Sequence, residues 1–246
     1  MLELTCDIAR LTYIMDISSI MDKDVVFETK KNILEVRCFA IDKSSMLKID
    51  IDITSFDSYK TSGFKFCIDT DIAKKFLRIF KPDDIVHLAY LEESNIIKLS
   101  CNKKYRKIEL IDLSTCSIPN EIPEPDCNFI CDVNAKSFIE SLKVCNLSSD
   151  VIRIISTDNE LQLDGFDEKS GCSINYQKIY KKYGIVESLY GSERINDICT
   201  FFPETINIKL HSKEKEHTYF PVIFTFTIRD NIGTFTYILA PRVEVE

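Results

Sequence analysis

Ten cysteines and three histidines are the residues of this chain with the most reactive chemistry, and their spacing argues against most of it. The cysteines stand at 6, 38, 67, 101, 116, 127, 131, 145, 172 and 199, with no CxxC pair. A structural zinc site needs four nitrogen or sulfur donors, usually in closely spaced pairs. Only His87, His211 and His217 could add nitrogen donors, and no second ligand pair occurs. Cys127 and Cys131 share one face of an alternating, strand-like run. The cysteines therefore read as small buried hydrophobes in a reducing compartment, with a disulfide between the halves left open. The histidines lie in or beside predicted strands, and His211 and His217 flank the charged loop SKEKE, so they read as surface groups. Asp50 and Asp52 alternate along a predicted strand and read as solvated. Among six glycines there is no GxGxxG, no GxxxxGK[ST] and no GxSxG, and HExxH is absent. The chain reads as a non-enzyme that uses no cofactor and no metal.

Positive charge is the more informative pattern. Periodicity predicts a helix over 71–81, with Ile72, Phe76, Leu77 and Phe80 toward a core. Lys74, Arg78 and Lys81 follow one another at i, i+4 and i+7, with Lys75 beside them. A helix over 134–147 offers Lys136 and Lys143 with Glu140 between them. A helix over 8–21 offers Arg10, and one over 192–202 offers Arg194. A solvated helix face explains such residues singly. If all four helices share one side of a sheet, they form a surface suited to a phosphate backbone contacted without base readout. The formal net charge of −8 argues against a simple nucleic-acid binder, so distribution matters more than the sum.

The elements that would position these residues come in a repeated order. With 246 residues, 45% hydrophobic and 28% charged, the chain can build two ordinary globular cores. No apolar run approaches the roughly 18 residues of a bilayer span. The start, MLELTCDIAR, has acids where a signal peptide is basic, which places the chain inside a cell. Strands with period-two alternation are predicted on both sides of a proline-rich stretch at 114–127, where Pro119, Pro123 and Pro125 impose an extended linker. The clearest is 46–53, with Leu47, Ile49, Ile51 and Ile53 opposite Lys48, Asp50 and Asp52. Asp69 or Thr70 can cap the helix over 71–81, which Pro82 ends. Corresponding helices start about 120 to 126 residues apart. The second helix of each half leaves through one phrase, Pro82-Asp83-Asp84-Ile85 and Pro203-Glu204-Thr205-Ile206. Self-similarity at a fixed period predicts an α+β protein made of one module twice: 1–113, a connector 114–127, and 128–246.

Several of these stretches, taken in order, carry a resemblance. The ending Gly233-Thr234-Phe235-Thr236-Tyr237-Ile238-Leu239-Ala240-Pro241-Arg242-Val243 resembles that of sliding clamps of the proliferating cell nuclear antigen (PCNA) family, archaeal type. Ala40-Ile41-Asp42-Lys43-Ser44-Ser45-Met46 resembles the loop after the family's third strand, Phe56-Asp57-Ser58-Tyr59 its FxxY turn, and Glu121-Ile122-Pro123-Glu124-Pro125 the end of its interdomain connector. The resemblance implies two clamp modules per chain, with antiparallel sheets outside and two helices each inside, and a six-module ring of three subunits around duplex DNA. It implies a processivity factor without a catalytic site, tethering DNA polymerase, flap endonuclease and DNA ligase, and opened by a clamp loader.

Carried over by position, the lumen would present Arg10, Lys74, Lys75, Arg78, Lys81, Lys136, Lys143 and Arg194 to DNA. A pocket for PIP-type partner peptides would use Ile41, Met46, Ile122, Pro123, Pro221, Ile238, Ala240, Pro241 and Val243, of which Ile41 and Ile238 could equally be core. Subunits would meet through Tyr105, Lys107, Ile108 and Leu110 of a strand over 105–113 and Cys172, Ile174 and Tyr176 of one over 172–179. The chain departs from the family pattern in its first helix, which has Tyr13, Met15 and Asp16 where lysines are usual, in Glu140, and in Thr200 to Phe202. A weaker lumen suits a homotrimer or a heterotrimer with paralogous subunits. A checkpoint-type clamp for repair signalling, and an unrelated α+β interaction protein, are the alternatives. The localisation implied is the cytoplasm at the nucleoid, or the nucleus in a eukaryote, with no membrane association.

Overall fold

Alternation along Ser45–Asp52 turns Leu47, Ile49 and Ile51 into a core and Lys48, Asp50 and Asp52 away from it, and strands of this kind build most of the protein. The computed structural model describes residues 1–116, 118–119, 127–167, 169–182, 185–211 and 220–242. The chain divides into two compact units, 1–120 with 230–234, and 121–229 with 235–246.

The first unit runs β1 (Leu2–Asp7), α1 (Ile8–Ser18), β2 (Asp24–Thr29), β3 (Ile33–Phe39), β4 (Ser45–Asp52), β5 (Ser58–Thr61), β6 (Phe64–Asp69), α2 (Thr70–Leu77), β7 (Ile85–Leu91), β8 (Ile96–Cys101) and β9 (Lys104–Glu109). Its strands form one antiparallel array ordered β5-β1-β7-β8-β9 and another ordered β4-β3-β2-β6. Asp7 and Asp69 cap α1 and α2 by accepting from Arg10 N and from Asp71 N and Ile72 N. A 3₁₀ turn at Ile53–Ser55, capped by Asp52, separates β4 from β5. Sequence alone gave Asp52 only solvent and missed β5.

The second unit runs β10 (Phe129–Asn134), α3 (Ala135–Cys145), β11 (Val151–Ser156), β12 (Glu160–Gly165), β13 (Gly171–Lys182), β14 (Val186–Gly191), α4 (Ser192–Cys199), β15 (Thr205–Leu210), β16 (Val222–Thr227) and β17 (Gly233–Leu239). The strand order repeats that of the first unit, as β13-β10-β15-β16-β17 and β14-β11-β12-β13. One long strand, β13, does the work of β4 and β5 together. Its start pairs with β12 and its end with β10, where register shifts at Ile130/Cys131 and Asp132/Val133 let it change partner.

The repeated proline phrase has a structural reason. In the first unit the loop after α2 receives the start of α1, with Ile8 N donating to Asp84 O and Ala9 N to Pro82 O, both 2.9 Å. In the second, Ala135 N donates to Glu204 O at 2.9 Å. Each phrase thus satisfies backbone donors that a helix start leaves open.

All four helices end before the expected residue, α3 at Cys145 and α4 at Cys199. α1 stops at Ser18, with Ser19 as its cap. α2 stops at Leu77, with Arg78 as its cap. Residues 78–80 tighten into 3₁₀ turns, in which Ile79 N donates to Phe76 O and Phe80 N to Leu77 O. Pro82 disfavours helical geometry at the residue before it, so the helix winds down early and Lys81 lies beyond it.

Candidate nucleic-acid and partner surfaces

Each helix buries an apolar stripe and turns its charges outward. Leu11, Ile14, Met15 and Ile17 of α1, Ala73, Phe76 and Leu77 of α2, Phe138 and Leu142 of α3, and Ile195 and Ile198 of α4 face inward. In the first unit α1 and α2 lie side by side, joined by a 3.0 Å hydrogen bond from Lys74 Nζ to Ser19 Oγ. In the second, the ring of Phe138 in α3 meets that of Phe202, just past α4, edge-on at 6.2 Å. Burial pushes the Cys199 thiol of α4 up to about 12, and the charge of Lys143 in α3 pulls it back.

The predicted basic residues fall into two groups. In every helix one base is held by an acid about one turn away: Arg10 by Asp7 at 3.6 Å, Lys74 by Asp71 at 2.9 Å, Lys136 by Glu140 at 3.9 Å and Arg194 by Asp197 at 3.8 Å. Arg10 also donates to Ser55 O. The Lys74 side chain is only 15% exposed, which suits it to structure more than to a solvent-borne ligand. Its hydrogen bond and charge hold the Asp71 carboxyl below the ordinary range. Burial pushes the Asp197 carboxyl upward against the pull of Arg194. Lys75, Arg78, Lys81 and Lys143 are exposed, and among the described residues none of them is in a salt bridge. Lys75, Arg78 and Lys81 cluster at the end of α2.

The four helices together carry six basic and five acidic residues. Against a chain of 31 basic and 39 acidic residues the helices are relatively positive, yet close to neutral. Such a surface attracts phosphate weakly, by a few exposed cations.

The proposed peptide-pocket residues lie in both units. In the first, the turn between β3 and β4 is closed by Ala40 N to Ser45 O at 2.9 Å, and Asp42 Oδ1 accepts from Ser44 N and Oγ. This turn lifts Ile41 into solvent, 85% exposed, and tucks Met46 inward at 9%. In the second, Ile238 is buried, Pro221 and Pro241 are half-buried and Ala240 is exposed. Arg242 N donates to Leu189 O at 2.8 Å and fixes the chain after Pro241. Of the two residues that sequence left undecided between pocket and core, Ile41 is outside and Ile238 inside. Ile122, Pro123 and Val243 lie outside the described residues, as does His217.

Both predicted contact strands have an open edge. Among the described residues β9 pairs only with β8, and residues 171–175 of β13 pair only with β12. The side chains divide differently from the expectation. Tyr105 is exposed under Lys98 Nζ, 5.2 Å from the ring centre, and Lys107 is exposed. Ile108 and Ile174 are core residues, because each alternates inward on its strand. Leu110 lies past the end of β9, and Cys172 is half-buried. The Tyr176 hydroxyl is engaged within its own unit by Thr157 O and Glu160 O. What the edges offer is mainly unpaired backbone.

Sequence reasoning overlooked Glu35. It is 3% exposed on the face of β3 turned away from the core, with Lys30 Nζ at 2.8 Å and Arg37 Nη2 at 2.7 Å. The signal was present in the alternation of 33–39, but its burial depends on neighbours from β4. Among the described residues no group of three or more His, Cys, Asp or Glu could hold a metal ion. No helix of the described residues is long and apolar enough to cross a membrane.

Known proteins fit this arrangement. The chain is 24% identical to the DNA polymerase sliding clamp of Methanococcoides burtonii over 211 residues, 83% of this chain and 84% of that protein. It is 21% identical to that of Haloarcula marismortui over 237 residues, 94% of each. Among solved structures, PCNA from Thermococcus kodakaraensis superposes with a TM-score of 0.83 at 20% identity, covering 98% of this chain and 100% of that one. A. fulgidus PCNA bound to the C-terminal region of FEN-1 gives 0.86 at 20% identity, with 100% of both covered. No protein-family model matches the chain. By sequence over most of its length and by fold over all of it, this protein is a homologue of the archaeal DNA polymerase sliding clamps.

Proposed function

We propose that this protein is a subunit of a DNA sliding clamp, a ring that encircles duplex DNA and tethers DNA polymerase and other DNA-processing enzymes to it. The observation that carries the reading is the repeat itself: two units of one topology, each with two helices and, among the described residues, an open strand edge. Pairing β9 of one chain with residues 171–175 of the next satisfies both edges, and such a head-to-tail contact closes into a ring when its rotation allows. The exposed cations Lys75, Arg78, Lys81 and Lys143 supply sequence-independent attraction to phosphate, weak enough to permit sliding. Tethering raises the local concentration of a client without chemistry of its own, so the clamp needs no catalytic group.

A client peptide with apolar anchors is the partner chemistry that suits exposed Ile41, and the FEN-1 complex of the A. fulgidus homologue supports a flap endonuclease as one client. DNA polymerase, DNA ligase and a clamp loader are the other clients of this reading, acting in replication and repair at the nucleoid. The test is topological. The protein is loaded on nicked circular DNA with a clamp loader, isolated by gel filtration, and the DNA is then linearised. Retention on circles with release from linear ends supports the reading; equal retention on both overturns it.

One observation favours a mixed ring over a homotrimer. The β9 edge reads KYRKIE, and Lys104, Arg106 and Lys107 are all exposed. β13 contains no Asp or Glu. The nearest carboxylates sit one strand in, where Glu160 accepts from Ser173 Oγ and Asp164 from Gln162 Nε2. A copy of this chain thus offers β9 no acid on the strand it would pair with, whereas a paralogue with an acidic edge would.

A further inference from the structure

Positive charge that the four helices lack gathers at one corner of the first unit, where β9 meets the end of α2. Alternation divides β9 into two faces. Lys104, Arg106 and Ile108 pair with Cys101, Leu99 and Ile97. Those three partners and Ile108 are buried, so this face of the strand meets the core. Tyr105, Lys107 and Glu109 fall on the opposite face, where Lys98 Nζ lies 5.2 Å from the Tyr105 ring centre. β9 is the last strand of its array, so Lys104 and Arg106 stay exposed on a face that is buried elsewhere. Lys104 Nζ lies 5.7 Å from the ring centre of Phe80, and that ring meets Phe76 of α2 edge-on at 5.0 Å. An ammonium attracted to a ring face that is itself packed is held in place. It is held beside Arg78, the cap of α2, and Lys81. Asp83 and Asp84 follow in the turn, and Asp84 Oδ2 is occupied by Lys81 N at 2.9 Å.

We propose that the strand β9 is part of the DNA surface, a proposal that rests on the sliding-clamp reading. Lys104 and Arg106 join Lys75, Arg78 and Lys81 in one phosphate-binding corner, and Phe80 is the ring that positions Lys104 within it. The helices alone are close to neutral, with six basic and five acidic residues, and attract phosphate weakly. Arg78, Lys81, Lys104 and Arg106 all lie outside the helical spans, and they add their charge at a single place. The acid of β9, Glu109, is on the other face of the strand. Among the described residues none of the four cations is in a salt bridge. The Arg106 guanidinium can grip one phosphate with two parallel N–H donors, while Lys104 supplies a point charge. Cations gathered at a corner meet neighbouring phosphates of one DNA strand, where the same number spread over four helices would meet scattered ones. Such contacts fix where the duplex rests without reading its bases, so they leave it free to slide.

The test titrates the full chain with a fluorescently labelled duplex of mixed sequence over a salt series, reading anisotropy. Lys104→Ala and Arg106→Ala should each lower the slope of log affinity against log salt by about 1. Lys107→Ala removes a charge from the same strand but the opposite face, and should keep the parent slope. Lys104→Arg keeps the charge and can stack on Phe80, so it should also keep it. All four side-chain changes are at exposed positions, and the melting temperature should hold throughout. Parent slopes in both Lys104→Ala and Arg106→Ala overturn the proposal, and if Lys75→Ala still lowers the slope the clamp reading survives. An equal fall in Lys107→Ala also overturns it, because charge on the edge, and not on the helix face, would then be what matters. A parent whose DNA affinity does not respond to salt removes both the corner and the DNA surface of the clamp reading.

Discussion

Lys74 Nζ donates to Ser19 Oγ across 3.0 Å, tying α2 to the residue that caps α1. With Asp71 at 2.9 Å on its other side, this lysine is committed to the fold, whereas the adjacent Lys75 is exposed. Their replacements should therefore separate. Lys74→Met is expected to lower stability by about 1 kcal/mol with little change in the salt dependence of DNA affinity. Lys75→Ala and Arg78→Ala should leave the melting temperature alone and each reduce the slope of log affinity against log salt by about 1. Thermal melts and DNA titrations over a salt series check both. Equal slopes for the parent and Lys75→Ala would remove α2 from the DNA surface.

Glu35 gives the first unit an acid-sensitive anchor. Burial pushes its carboxyl up, but hydrogen bonds from Lys30 and Arg37, with their charges, outweigh burial and leave it below the ordinary range. Across the strands its neighbours are Glu28 and Asp50, so removing the bases would leave like charges side by side. A carboxyl depressed by folding contributes stability above the unfolded value of about 4.3 and loses it as pH falls through the folded one. Glu35→Gln should cost about 1–3 kcal/mol at neutral pH and flatten the decline of stability below about pH 4.3. Urea unfolding across that range checks it. An unchanged acid limb in the variant would assign the loss to other carboxylates.

Local signals were legible in the chain; pairings distant in sequence were not. Period-two alternation predicts β4 to within a residue at each end, and Asp69 reads as a cap because its side chain needs only the next three residues. The shared proline phrase marks the repeat because each copy meets one helix start. The early end of α2 escapes a periodicity argument, since Ile79 and Phe80 keep the apolar pattern while Pro82 changes the backbone. Glu35 looks like any outward strand residue until Lys48 of β4 and Arg37 close over it. Ile108 and Ile174 read as seam residues by position but alternate into the core. The isolated bridge between Cys67 and Ile111 is likewise something no spacing rule supplies.

Ile41 offers the cleanest separation of partner binding from folding. A residue 85% exposed on a turn closed by backbone bonds contributes little to stability, so Ile41→Ala should change it by less than about 0.5 kcal/mol. If the side chain anchors a client peptide, the same change should cost about 1–2 kcal/mol of binding, or roughly a 5- to 30-fold loss of affinity. Calorimetric titration with a flap-endonuclease C-terminal peptide measures it. Ile238→Ala should instead destabilise the second unit by about 2–4 kcal/mol, because Ile238 is buried. Undiminished affinity in Ile41→Ala would move the peptide site off this turn.

The strand edges bear on which chains share a ring. Lys104, Arg106 and Lys107 stand on β9, and residues 171–175 of a second copy bring only neutral residues to meet them. Opposite charges across a strand pair stabilise it, so an acidic edge on a foreign strand would be selected over the neutral edge of a copy. The purified chain is therefore expected to run below trimer mass by light scattering, and to gain mass on mixing with a paralogous clamp chain whose edge strand is acidic. That association should weaken between about 0.05 M and about 0.5 M salt, as screening shortens the reach of exposed charges. Replacing Lys104, Arg106 and Lys107 with Glu should abolish it while the melting temperature holds, since all three are exposed. A stable trimer of the chain alone, insensitive to salt, would show that backbone pairing and apolar contacts dominate the seam and that one gene product suffices for the ring.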